Sequence, residues 1–229
     1  MSVYNWEGGC YLISPLLARE GLFHFFGARR LADTASLGLP ATAYHLRQVH
    51  GDRVCLVDRD GEPEGDGLTT NRADMLLTIS TADCAPILLF DPVQRAISAI
   101  HAGWRGTLLG IVKKGVREMG RHFGSHPPHL IAAIGPAIGR CCYEVGAAVW
   151  EQVDPTHRDA AVTRKAGEKA MLDLPRLNAL QLEEAGLMPA QISVCDLCTA
   201  CAPESFYSYR REGKTGRMLS GIALKEGRS

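Results

Sequence analysis

Ala96-Ile97-Ser98-Ala99-Ile100-His101-Ala102-Gly103-Trp104-Arg105-Gly106-Thr107 is the stretch on which the reading of the fold turns. Its first half, Ala96–His101, is a short apolar run suited to a buried strand, and the glycine-flanked Trp104-Arg105 that follows is a turn. From Thr107 onward apolar side chains fall at Leu108, Val112, Val116, Met119 and Phe123, a spacing of three or four that makes one helical face. Thr107 is expected to cap this helix and Gly124 to end it. Strand, glycine turn and amphipathic helix in succession indicate an α/β chain.

Further strands are expected on either side, at Val54–Asp58 (closed by an Asp60-Gly61 turn), Met75–Ser80, Ile87–Asp91, Leu130–Ile134, Ile192–Asp196, Phe206–Arg210 and Arg217–Leu224. A second helix is expected over Leu174–Ala185, with Pro175 tolerated at its start and Gly186 beyond its end. Strands outnumber helices, and several neighbours are joined by loops too short for a crossover helix. The expected architecture is therefore α/β (α+β), a layered sandwich of mixed β-sheet with helices packed outside. No repeat, low-complexity tract or flexible linker divides residues 1–229, so a single domain is expected.

The balance of the 229 residues is that of a globular protein, with 46% hydrophobic and 22% charged, which argues against disorder. Lys plus Arg, 25, offsets Asp plus Glu, 25, so the basic excess of a nucleic-acid or membrane-surface binder is missing and a small-molecule ligand is favoured. No apolar run reaches the roughly 18–20 residues of a membrane span. Met1–Glu7 lacks the basic start and apolar core of a signal peptide, so the expected compartment is the cytoplasm. In a reducing compartment the eight cysteines are expected as thiols, packed, reactive or bound to metal.

Three segments place a soft or imidazole ligand where a strand meets a turn: Gln48-Val49-His50-Gly51, Thr81-Ala82-Asp83-Cys84-Ala85-Pro86 and His101-Ala102-Gly103-Trp104-Arg105-Gly106. His50, Cys84 and His101 would give zinc three protein ligands and leave a fourth position open, the pattern of a catalytic site. Taken singly, each reads equally well as a packed or hydrogen-bonded residue. Gly103-Trp104-Arg105-Gly106-Thr107 also reads as an anion cradle, with Arg105 holding phosphate bidentately beside a helix start. Trp104 either stacks on a ligand ring or packs beneath the loop. Asp83 is the carboxylate nearest Cys84 and reads either as a proton-transfer group or as a turn cap, and Glu144 is a weaker candidate. Arg29 and Arg210 or Arg211 are further anion-binding candidates. Cys195, Cys198 and Cys201 suggest a second metal site, but a fourth ligand is not found nearby in sequence.

These segments occur in order with Ile134-Gly135-Pro136-Ala137-Ile138, Cys142-Tyr143-Glu144-Val145-Gly146, Cys198-Thr199-Ala200-Cys201 and Tyr209–Arg217. Together they resemble the YfiH-type laccase-domain family, over about Phe26–Leu224. The resemblance implies a YfiH-like α/β fold and metal ligands at His50, Cys84 and His101, with zinc the expected ion and copper an alternative. It implies phosphorolysis of adenosine, inosine, guanosine and methylthioadenosine, with phosphate as co-substrate and adenosine deamination as a second activity. Gln48, Gly103, Trp104, Arg29 and Arg210 are the expected substrate-binding residues, and Asp83 and Arg105 the expected catalytic ones. It also implies that the Cys198/Cys201 pair occurs without a cluster, favouring packing or a labile disulfide. Alternatives are copper-dependent polyphenol oxidation, hydrolytic editing of peptidoglycan precursors, and a non-catalytic binding protein retaining the metal site. The chain departs from the family where paired glycines and a Ser-Leu-Asn-Leu-Gly run are usual: here Arg29 is followed by Arg30-Leu31-Ala32, and the later run is Ser36-Leu37-Gly38-Leu39-Pro40. If this loop lined the substrate pocket, substrate range would change and the metal ligands would not.

Overall fold

In the computed structural model, which describes residues 4–31, 33–38, 42–58, 61–73 and 75–225, fifteen strands and six α-helices follow one another. The strands are β1 Asn5–Glu7, β2 Tyr11–Ile13, β3 Leu22–Gly27, β4 Thr42–Tyr44, β5 Val54–Leu56, β6 Gly67–Thr70, β7 Met75–Thr81 and β8 Ala85–Asp91. Then come β9 Ala96–Ala102, β10 Ile131–Ile134, β11 Glu144–Gly146, β12 Val162–Arg164, β13 Lys169–Leu172, β14 Ile192–Val194 and β15 Met218–Leu224. The helices are α1 Trp104–Leu108, α2 Ile111–Phe123, α3 Ala147–Trp150, α4 Pro155–Ala161, α5 Leu174–Glu184 and α6 Tyr209–Glu212. Asp60, Ala32, Leu39 and Pro40, which figure in the expectations above, lie outside the described residues.

Two six-stranded sheets are stacked. One has the order β1-β2-β3-β15-β7-β4, the other β14-β10-β8-β9-β6-β5, and each mixes parallel and antiparallel pairs. Leu12, Phe26, Leu77, Ile79 and Ile222 of the first sheet share a core with Leu68, Leu88, Phe90, Ile97 and Ala133 of the second. The other face of the second sheet, through Ile87, Leu89, Ile100 and Ile134, packs on Ile111, Val112, Val116 and Met119 of α2 and Leu182 of α5. Being covered on both sides, β8 and β9 are buried at every residue, which is why they read as continuous apolar runs. A small sheet, β11-β13-β12, forms a third core with Trp150, Val153 and Leu177.

The mixed layered sandwich is as expected from the sequence, with three refinements. Of the two large sheets, only the second is covered by α-helices. The outer face of the first, at Phe25, Leu76 and Ala223, is packed by Leu31 and Leu37 of the divergent N-terminal run. The helix expected over Thr107–Phe123 is two helices, because Gly110 adopts φ 74°, a left-handed conformation that glycine tolerates and a helix interior does not. Thr107 is therefore inside α1 rather than its cap: its hydroxyl pairs with Asn178 of α5, and its carbonyl accepts from Gln181 Nε2 at 2.9 Å. Phe206–Arg210 is no strand either. Phe206 is a single buried anchor, and the Ser208 hydroxyl accepts from the Arg211 amide to start α6. Among the described residues no helix is long and apolar enough to cross a membrane.

Candidate metal centre and substrate cavity

β7 belongs to the first sheet and β8 to the second, so the chain changes sheets at Ala82-Asp83-Cys84. Asp83 makes that turn at φ 86°, an uncommon conformation for a non-glycine residue. β8 and β9 are antiparallel with Pro86 opposite His101, which brings Cys84 beside the end of β9. His50, in the loop between β4 and β5, has φ 58° and is held by a carboxylate that the sequence reading did not single out. Asp66 is fully buried immediately before β6. One of its oxygens accepts from the His50 amide at 3.0 Å and from His101 Nδ1 at 2.8 Å; the other accepts from the Gly51 amide at 2.7 Å and the Val49 amide at 3.3 Å. Strained backbone of this kind persists where surrounding contacts over-determine it. The only hint in the sequence is Gly65-Asp66-Gly67, two glycines that let this corner pack against Arg53 and Val54.

The result is that one donor atom from each of His50, Cys84 and His101 lies within 4.8 Å of the others. The imidazole rings of His50 and His101 stand edge to face with centroids 4.9 Å apart. Because Asp66 takes Nδ1 of His101, Nε2 is the nitrogen left to the site, a carboxylate–histidine arrangement common behind metal ions. Burial alone would raise the Cys84 thiol, but hydrogen bonds with His101 and His50 bring its pKa down to about 6. Burial alone would lower His101, but Asp66 and Cys84 bring it up to about 9. The pocket thus favours a thiolate, the form that binds metal. Gly103 completes it by what it lacks: a Cβ there would stand 3.2 Å from Cys84 Sγ and 3.4 Å from the His50 ring. Gly106 does the same for the backbone, since a Cβ would meet the Gly51 carbonyl oxygen at 2.5 Å. The two glycines of the Gly-Trp-Arg-Gly turn therefore serve close packing around His50 and Cys84. The anion cradle expected there is reduced to Arg105, because α1 has only five residues and Thr107 is buried.

The three donor residues line a cavity of about 780 Å³. Gln48, Asp83, Trp104, Arg105 and Arg210 line it as the sequence led one to expect, together with Arg217, Tyr143, Tyr209, Leu46, Ile138 and Leu174. The Arg105 guanidinium lies over the Trp104 ring, 4.5 Å from its centroid, a cation–π contact that orients it. Gln48 binds the backbone of Ser80 with both ends of its amide, so it braces the wall as well as lining it. Asp83 accepts from the Thr199 hydroxyl at 2.6 Å and from the Arg210 amide at 2.7 Å. With both oxygens engaged, it anchors α6 and the backbone of Arg210. Tyr143 also lines the cavity, and burial pushes its phenol up to about 12.

Three residues weighed from the sequence are not brought here. Arg29 does not line the cavity: it pairs with Glu212, donates to the Phe206 carbonyl and lies over the Tyr207 ring. Arg211 turns to the carbonyls of Thr199, Ala200 and Phe206. Glu144 is an exposed partner of Lys165 and Lys169. Leu31 and Leu37 of the run that follows Arg29 pack on the outer face of the first sheet, and neither lines this cavity.

Residues 27–225 match the profile of the family described as multi-copper polyphenol oxidoreductase laccase, and the chain belongs to that family. Purine nucleoside phosphorylase YlmD of Bacillus subtilis is 39% identical over 193 residues, 78% of this chain and 69% of that protein. Purine nucleoside phosphorylase LACC1 of Homo sapiens is 30% identical over 86% of this chain, which spans about half, 47%, of the human protein. A prokaryotic protein named adenosine deaminase RL5 is 37% identical over 78% of this chain and 74% of its own length. Among solved structures, the hypothetical protein YfiH of Bacillus licheniformis superposes with a TM-score of 0.89 at 30% identity, covering 97% of this chain and 99% of that one.

Proposed function

We propose that the chain is a zinc-dependent purine nucleoside phosphorylase acting on adenosine, inosine, guanosine and methylthioadenosine with inorganic phosphate as co-substrate. One observation carries this reading: a His-Cys-His donor set, aromatic walls and three arginines share one cavity. The donor set suits zinc, which takes imidazole nitrogen at about 2.0–2.1 Å and thiolate sulfur at about 2.3 Å, and three protein ligands leave a side open to the cavity. Imidazole and thiolate also accept copper, so elemental analysis decides which ion is loaded. When bound, the ion would supply Lewis-acid polarisation of a substrate oxygen or nitrogen.

The remaining work falls to side chains. Trp104, Tyr143 and Tyr209 offer ring faces to a purine, and Leu46, Ile138 and Leu174 exclude water around it. Arg105 presents a planar pair of donors to phosphate. Arg210 donates through Nη1 to the carbonyls of Cys142 and Glu144, at 3.3 and 3.0 Å, which fixes its guanidinium and leaves its other nitrogens to an anion. A phosphate oxygen so held forms the bond to ribose C1′ while the C1′–N9 bond breaks, and the departing purine takes up a proton. Tyr143, a neutral phenol in the cavity lining, is the donor this reading assigns to that base.

The relatives named as purine nucleoside phosphorylases support this reading, and the relative named as an adenosine deaminase supports deamination as a second activity. A multi-copper oxidase reading is short of ligands. Among the described residues only two groups of three or more donors assemble, and the second contains no histidine. The test is incubation of purified protein with inosine or adenosine, with and without phosphate, following free base, ribose 1-phosphate and ammonia. Phosphate-dependent release of base and sugar phosphate is expected. Absence of turnover with every purine nucleoside overturns the proposal.

A further inference from the structure

The turn at Cys141-Cys142 faces the turn Cys198-Thr199-Ala200-Cys201, and all four sulfurs lie within 4.8 Å of one another, none of the four residues lining the cavity described above. We propose that these four thiols form a second, structural metal site that binds a single zinc ion as a mononuclear tetrathiolate. The spacing of Cys195, Cys198 and Cys201 suggested a site lacking a ligand. In the fold, Cys195 is buried in the core between the sheets and takes no part, and the missing ligands come from the other turn.

Sulfur geometry selects the occupant. Cys201 Sγ is 3.5 Å from Cys141 Sγ and 3.4 Å from Cys142 Sγ. Tetrahedral coordination with Zn–S near 2.3 Å sets sulfurs about 3.8 Å apart, so these two close pairs need to open by only about 0.3–0.4 Å to match a filled site. A disulfide requires about 2.05 Å, and Cys201 stands almost equally far from two candidate partners. A multi-iron cluster would have to spread its cysteines around a cage of several metal and sulfide atoms, whereas these crowd on one point.

The backbone is arranged for a thiolate. Cys198 Sγ accepts from the Gly139 amide at 3.2 Å, and the amides of Ala200 and Cys201 also direct hydrogen bonds to it. A neutral thiol is a weak acceptor, so three amides aimed at one sulfur match the ionised form. Gly139 permits the approach: a Cβ there would stand 3.3 Å from Cys198 Cβ and 3.4 Å from Cys141 Sγ. The Thr199 amide donates to the Ala137 carbonyl at 3.0 Å, which fixes the register of the two segments. Cys141 and Cys201 are exposed, so the ion has a route from solvent. Binding exchanges four S–H protons for one divalent ion and leaves a centre of charge −2 facing those amides.

The site would staple together two segments that also serve the cavity. The Cys142 carbonyl receives Arg210, the Thr199 hydroxyl holds Asp83, and the Thr199 and Ala200 carbonyls receive Arg211. The proposal is nonetheless independent of the phosphorylase reading, because it concerns metal count and thiol chemistry.

The test uses full-length protein purified under reducing conditions without chelator. In Cys84→Ala, which removes the sulfur of the first site, elemental analysis is expected to find about one zinc per chain. Cobalt replacement of that zinc should give the intense visible and near-ultraviolet bands of tetrahedral cobalt bound to several thiolates. Adding Cys198→Ser and Cys201→Ser should abolish both signals. Should that variant fail to fold, alkylation of Cys84→Ala with and without zinc, mapped by peptide mass, replaces it: Cys141, Cys142, Cys198 and Cys201 should be protected by zinc while Cys10 is not. Loss of all metal in Cys84→Ala, cobalt bands without thiolate charge transfer, equal alkylation of the four with and without zinc, or a disulfide among them in the reduced preparation would each overturn the proposal.

Discussion

Replacing Asp66 by asparagine changes a single atom of a side chain that meets four donors. Two arrive on each oxygen: the His50 amide and His101 Nδ1 on one, the Gly51 and Val49 amides on the other. An asparagine keeps one acceptor oxygen and puts an NH₂ group in place of the other, so in either orientation two of these donors face a donor. At about 1–3 kcal/mol for each unpaired group, the expected loss is about 2–6 kcal/mol of folding stability. That is a large part of the roughly 5–15 kcal/mol of an ordinary domain, so the variant should be studied at low temperature. Flipped one way, the amide frees the turn carrying His50; flipped the other, it leaves His101 without a fixed tautomer. Either outcome disturbs one of the two imidazoles, and zinc affinity should fall by about 10–100-fold. Denaturant unfolding of metal-free protein and chelator competition measure the two effects separately. If Asp66→Asn unfolds within about 0.5 kcal/mol of the parent and binds zinc within about twofold, Asp66 does not organise the donors and the account of the site fails.

Gly103→Ala should leave stability nearly unchanged, since φ −75° and ψ 170° suit any residue, yet weaken zinc binding about tenfold or more because its methyl group meets Cys84 and His50; unaltered affinity by chelator competition would contradict this. Arg105→Ala should raise KM for phosphate at least about tenfold, the scale of one lost charge-assisted hydrogen bond, with KM for inosine much less affected; equal changes in both would remove Arg105 from the anion subsite. His24 is buried and neutral, with Nε2 accepting the Ser14 amide at 2.8 Å, and burial pushes its pKa from 6.5 down to about 4. The stability tied to its neutral form is complete above pH 6.5 and lost as pH falls toward 4, about 3 kcal/mol in all. His24→Gln keeps an acceptor that does not titrate, so its unfolding midpoint should vary less over that interval; a pH profile parallel to the parent's would refute the assignment.

What the sequence discloses follows from what local chemistry can express. β7, β8, β9, β10 and β15 are legible because each is an apolar run whose two faces are buried. β1 is not: its three residues are all exposed and it is defined only by pairing with β2. The break at Gly110 is hidden because Leu108 keeps helical spacing with Val112, although Leu108 packs with the small third core and Val112 with the central one. Likewise His50, Cys84 and His101 stand out as strand-end ligands, whereas Asp66 is an acidic residue among many until the fold gathers three amides and an imidazole around it. Arg29 failed for the converse reason: an arginine suited to anions is equally suited to Glu212, and only tertiary placement chooses between them.

The two sulfur-bearing clusters are linked through shared groups, and the link bears on how Arg210 is aimed. Its amide is fixed by Asp83, whose other oxygen is fixed by Thr199, which lies between Cys198 and Cys201. Its guanidinium is fixed by the carbonyl of Cys142, itself a member of the same cluster. Arg210 is thus tied at both ends to segments that the four cysteines bring together, while Asp83 ties it to the turn carrying Cys84. Loosening the cysteine cluster should therefore act on the cavity chiefly through the direction of one guanidinium, and less on the His50–Cys84–His101 triad, whose shape Asp66 and Gly103 also set.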